Sequence, residues 1–147
     1  MKPQGHLITS VIATGATYAV TGSSELAIGV FCGAFWIDLD HYLDYVVFER
    51  QFSLNPFRFI RYYLDNQARR LVLVLHSYEL MFCLGLLAMM IRSLPLIGYL
   101  IGATMHLILD IRYNDTLRNP FRFYSFSYRQ RRGFKTIRGI NKRCGNR

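Results

Sequence analysis

The chain has 147 residues, is 52% hydrophobic and 15% aromatic, and carries a formal charge of +9. From Arg112 onward eleven Lys or Arg residues meet one acid, Asp115, while most other acids lie within or beside apolar runs; a small soluble domain does the reverse. The basic stretch follows hydrophobic segments and so points to anionic lipid head groups, with no nucleic acid expected, and the scattered Cys32, Cys83 and Cys144, without a CxxC pair, indicate neither a thiolate zinc site nor a disulfide scaffold.

The first predicted element is an apolar helix over residues 7–20, extended through 4–22 to reach spanning length. Its Thr, Gly and Ala content suits close helix packing in lipid, and its early histidine with no strongly basic leader argues against a cleaved signal. A tight turn at Thr21-Gly-Ser-Ser24 leads to a second span over 26–47. The first half of that span is apolar; the second carries Trp36-Ile-Asp-Leu-Asp-His-Tyr42 and then Asp44. At helical spacing Asp38 shares a face with His41, and Asp40 with Asp44. Residues 49–70 read as a polar connector in which arginines alternate with aromatics, with a short amphipathic helix at the lipid surface. A third span over 71–91 carries His76 and Glu79, three apart; a fourth over 96–111 carries His106 and Asp110. The expected fold is an all-α integral membrane protein, four transmembrane helices packed as two helical hairpins. Residues 1–123 form the transmembrane domain, and 124–147 a basic aromatic tail, cytoplasmic or interfacial.

Arginine-rich loops orient such a chain with both termini cytoplasmic. All the ionisable groups of the spans then fall at one membrane depth. His6 and Asp40 are 34 residues apart, as are His76 and Asp110, and the string NPFRF occurs twice, at Asn55 and Asn119. Both features point to a pseudo-two-fold repeat. Because Ile108 and Ile111 stand where Asp38 and His41 would have mates, any site between the hairpins is asymmetric.

Ionisable side chains at the edge of hydrocarbon need polar partners, a metal or water. The candidate ligands of one or two divalent ions, zinc or manganese, are His6, Asp38, Asp40, His41, His76, Glu79, His106 and Asp110. Asp38 and Glu79 are the candidate catalytic acids, and Arg112, Arg118 and Arg122 the candidate substrate-binding residues. Gly5-His6, Asp38-Leu-Asp-His41, His76-Ser-Tyr-Glu79 and His106-Leu-Ile-Leu-Asp110 together resemble the motifs of small membrane-bound, metal-dependent hydrolases of bacterial inner membranes, the YbcI/YdjM-like proteins. Ile37 and Glu79 depart from that pattern. The resemblance implies a multi-pass protein of the inner (cytoplasmic) membrane. With the ligand set it predicts hydrolysis of a lipid-linked ester or phosphoester at the cytoplasmic leaflet; a non-catalytic metal-stabilised scaffold or partner-binding protein and, further off, a metal transporter are the alternatives.

Overall fold

The computed structural model describes residues 3–53, 55–65, 67–113 and 119–135. Helix α1, Pro3–Thr21, is lined with hydroxyls that bond back along their own helix: Ser10 to the His6 carbonyl at 2.6 Å, Thr14 to Ser10 at 2.7 Å and Thr17 to Ala13 at 2.8 Å. These polar groups are therefore satisfied without water. Gly22, at φ 66°, turns the chain, and the Ser23 hydroxyl caps α2, Ser24–Phe35, by accepting from the Leu26 amide. The helix then changes pitch without stopping: a 3₁₀ turn at Trp36–Asp38, an α turn, α3, at Leu39–Leu43, and a π turn at Asp44–Phe48.

After the connector helix α4, Pro56–Leu64, come α5, Tyr78–Ile91, and α6, Leu94–Tyr113, joined at a left-handed Arg92 (φ 49°). Two short helices, α7 (Pro120–Phe123) and α8 (Phe126–Arg131), follow. The central contact is α2 against α6. Gly29 and Gly33 face Gly98 and Gly102, and a Cβ at Gly33 or Gly102 would collide with the carbonyl of Tyr99 or Val30. Two small-xxx-small pairs thus bring the backbones together and set His106 of α6 against the last turn of α2.

The four-span, two-hairpin arrangement does not hold. Among the described residues two helical runs are long and apolar enough to cross a membrane, Ser24–Phe48 and Leu94–Tyr113. The expected third span is helical only from Tyr78, and its 14 residues reach about 21 Å, short of a hydrocarbon core of about 30 Å. Residues 69–77 are not helical, and carboxylates take their amides. Asp40 Oδ2 accepts from Leu75 and His76 N–H (2.9 and 3.3 Å), Asp44 Oδ2 from Val72 and Leu73 (2.6 and 3.1 Å), and Glu49 Oε1 from Arg69 and Arg70 (2.9 and 2.7 Å). Three acids along one helix each hold two consecutive amides of the neighbouring segment. The spacing from 40 to 44 is one α turn. The spacing from 44 to 49 is one π turn, whose extra residue keeps Glu49 on the same face. The π turn is thus what carries this ladder to its third rung.

Candidate metal centre

The ladder delivers His76 to the centre of the molecule. Its Nδ1 lies 3.0 Å from Asp40 Oδ1, and Asp40 also holds the His76 amide, so one carboxylate fixes both backbone and ring. The pairing gives Nδ1 the proton and leaves the Nε2 lone pair facing inward. His106 is fixed in the same sense by a different partner: its Nδ1 donates to the Ala34 carbonyl at 2.7 Å, which the close α2–α6 approach puts within reach.

The two Nε2 atoms are 3.4 Å apart. Asp38 Oδ1 lies 3.5 Å from His76 Nε2 and 3.4 Å from His106 Nε2. Asp110 Oδ2 lies 3.5 Å from His106 Nε2 and 3.9 Å from His76 Nε2. His76 and His106 are fully buried and Asp110 nearly so, whereas the Asp38 side chain is 37% exposed. The cluster therefore has a closed floor and one open side.

Around it stand orienting groups. His6 Nε2 is 3.1 Å from Asp110 Oδ1, and its ring stacks on His106 with centroids 4.0 Å apart. His41 Nε2 is 3.8 Å from Asp38 Oδ1, its ring lying edge-on to both His76 and Tyr63. The buried Nδ1 atoms of His6 and His41 have no hydrogen-bond partner among the described residues. Tyr124, buried, approaches Asp110 Oδ2 through its hydroxyl at 3.4 Å. Burial opposes protonation of His76, but Asp40 and Asp38 outweigh it and raise its pKa to about 10: the pocket stabilises positive charge, a proton on Nε2 or a cation in its place, and only with the cation is the lone pair free to bind.

Of the sequence-predicted ligands, His6, Asp38, Asp40, His41, His76, His106 and Asp110 come together, in three groups with the spacing to hold a cation: His6, His106 and Asp110; Asp38, His76 and His106; Asp40, His41 and His76. Glu79 does not join them. It accepts from the Ser125 hydroxyl (2.8 Å) and from the Phe126 and Ser127 amides (2.8 and 3.0 Å), closing the N-terminus of α8. The slight burial is overcome by these donors, which hold its pKa down near 2. The expectation that His76 and Glu79 share a helical face fails because His76 precedes the helix. Arg112 and Arg122 are exposed, while the cluster is buried; Arg118 lies outside the described residues.

Arg129 was not expected at the site. It lies in the stretch that reads as a tail, yet it is buried and donates to the carbonyls of Leu73 (2.8 Å), His76 (3.1 Å) and Phe123 (2.7 Å). The acids hold the amides of the His76 segment and Arg129 holds its carbonyls. A sequence signal for α8 exists in Ser125, which caps it; none marks Arg129 out among the ten other basic residues from Arg112 onward. No family model, curated protein or solved structure matches the chain.

Proposed function

We propose that the chain is a membrane-embedded hydrolase with a single divalent ion, best suited to zinc, held by His76 Nε2, His106 Nε2 and Asp110 Oδ2, with Asp38 Oδ1 at the open side. The mutual spacing of these atoms supports a metal site, and the exposure of the Asp38 side chain, 37% against 0% for His76, supports an open side. With zinc–ligand bonds of about 2.1 Å, tetrahedral ligands lie about 3.4 Å from one another; five of the six separations here are 3.4–3.9 Å. The outer partners match a metal site too, since Asp40, the Ala34 carbonyl and His6 each orient one ligand.

Membrane placement rests on surface chemistry. The apolar windows of the two long helices are only 39% and 33% buried within the protein, unlike the core helix of a soluble domain. Val20, 84% exposed, and Met90, 81% exposed, extend an apolar surface larger than water tolerates without function. The clustered acids and histidines sit at the ends of these helices, where a lipid head group meets its acyl chains. The positive-inside tendency makes that end cytoplasmic, and the resemblance to small metal-dependent hydrolases of the bacterial inner membrane fits the same picture.

A bound divalent ion acidifies a water and polarises an ester carbonyl or phosphoryl oxygen. The chain supplies the rest. His76, His106 and Asp110 fill the buried positions, and Asp38 stands where substrate and water enter, placed to accept a proton. Asp38 as a fourth permanent ligand would instead close the centre and make it structural. The test is Asp38→Asn, assayed for metal content and for hydrolysis of phospholipid and lipid-ester substrates. The expected result is retained metal with turnover down about 10²–10⁴-fold. Wild-type protein purified without chelator and free of stoichiometric metal would sink the proposal.

A further inference from the structure

The repeated NPFRF string is not used by the metal centre, and its two copies share a backbone pattern, although the Asn55 side chain caps its helix and Asn119 makes no such cap. In each, Asn precedes a helix and Pro opens it, as the missing amide of proline permits. In each, the fifth residue's amide bonds the Asn carbonyl at 3.1 Å, Phe59 to Asn55 and Phe123 to Asn119. The second Phe turns inward: Phe59 packs edge-on against Tyr42, Tyr45 and Tyr63, and Phe123 against Tyr124 and Arg129. The first Phe turns outward, Phe57 being 81% exposed and Phe121 70% exposed, each followed by an exposed arginine, Arg58 or Arg122.

Neither exposed ring has a fold-level reason to be aromatic, because the inward Phe already docks each helix. The copies follow closely on the two membrane-length helices, Ser24–Phe48 and Leu94–Tyr113, whose ends converge on the metal cluster. They therefore flank one end of the molecule. Beside the first copy, a groove of about 580 Å³ combines Phe57, Ile60 and Leu64 with Arg58 and Arg61, with Asn55 and a single carboxylate, Asp65, completing its lining. An apolar floor with two guanidinium groups is the chemistry of a phospholipid headgroup, with phosphate at the arginines and chain at the rings.

We propose that the two NPFRF segments are a paired anchor for anionic phospholipid: Phe57 and Phe121 enter the acyl boundary, and Arg58 and Arg122 hold headgroup phosphate oxygens. The anchor would seat the open side of the centre at the depth where lipid esters lie. It rests on the membrane placement proposed above and not on the metal.

The test uses the full chain with single tryptophans, Phe57→Trp or Phe121→Trp, each combined with Trp36→Phe, in vesicles of phosphatidylcholine alone or of equal parts phosphatidylcholine and phosphatidylglycerol. The expected result is quenching of both indoles by lipids brominated near the head of the acyl chain, protection from iodide, and stronger quenching with phosphatidylglycerol. Arg58→Glu with Arg122→Glu should abolish that preference; its persistence overturns the phosphate contact. Loss of the preference in excess inorganic phosphate at constant ionic strength overturns a lipid source in favour of a free anion. Indoles open to iodide in both vesicles overturn the anchor and leave the rings for a protein partner. Metal content measured on the same vesicles separates failure of the anchor from failure of the centre.

Discussion

Two His–Asp pairs cross the molecule, and they use opposite nitrogens. His76 meets Asp40 through Nδ1 and turns Nε2 to the centre; His6, seventy residues earlier, meets Asp110 through Nε2, and its Nδ1 has no partner among the described residues. The residues match at a fixed offset, but the backbones beneath them do not. His6 rides on a regular helix, whereas His76 sits in a segment held by three acids and one arginine. What differs is the partner each ring meets: the irregular segment lays both the amide and Nδ1 of His76 on Asp40, so that Nε2 turns to His106 and Asp38, whereas His6 on α1 spends Nε2 on Asp110. The difference teaches that two histidines at one sequence offset are sorted by the carboxylate that each backbone presents them to, and not by the offset.

The largest test of this contrast removes each histidine. His76→Ala should abolish metal retention and hydrolysis, since a buried ligand and its oriented partner go together. His6→Ala should keep the metal with affinity reduced about tenfold, the small end of the range for residues that orient a ligand. Metal analysis on both variants settles it; equal losses would make the pairs equivalent.

Next comes the ladder. Asp44→Ala leaves the buried amides of Val72 and Leu73 without their acceptor, a cost of roughly 3 kcal/mol. The thermal midpoint should fall, and metal affinity with it, because this loop carries His76. His6 and α1 should be undisturbed by hydrogen exchange. Asp40→Asn is smaller in stability because an amide oxygen can still accept from the backbone. It should weaken metal binding about 10–100-fold through loss of the carboxylate behind the imidazole, measured by competition with a chelator.

Much of the site was legible because its residue types are costly in apolar surroundings. Asp38, Asp40, His41, His76, His106 and Asp110 stood out for that reason, whereas the equal spacing of His6–Asp40 and His76–Asp110 did not give the pairs, since His6 meets Asp110 and His76 meets Asp40. The path of 71–77 was not legible. Its string of Leu and Val reads as spanning helix, and what unwinds it is a set of acceptors 28 to 36 residues away in Asp40 and Asp44. Glu49 does the same just before it, accepting from the backbone amides of Arg69 and Arg70. The π turn that aligns it has no residue signature. Glu79 misled for a related reason: helical spacing from His76 means nothing where the helix starts at Tyr78. Arg129 was hidden by composition, one buried cation in a run of exposed ones.

The smallest expected effect is a pH response confined to one pair. Glu79 caps α8, and α8 carries Arg129 to the carbonyls of Leu73 and His76; His6 has no such buttress. Donors from Ser125, Phe126 and Ser127 hold Glu79 near 2 in the folded chain, below its ordinary value of 4.5. A depressed acid contributes its stability fully above the unfolded value and loses it as pH falls through the folded one. Docking of α8 should therefore weaken between about pH 4.5 and 2. Amide exchange at Phe126 and Ser127 should rise in that window, while α1 around His6 stays protected. Glu79→Gln should show raised exchange at neutral pH and no further change on acidification. An equal rise on α1 would mean global acid unfolding, with Glu79 no more than one carboxylate among several.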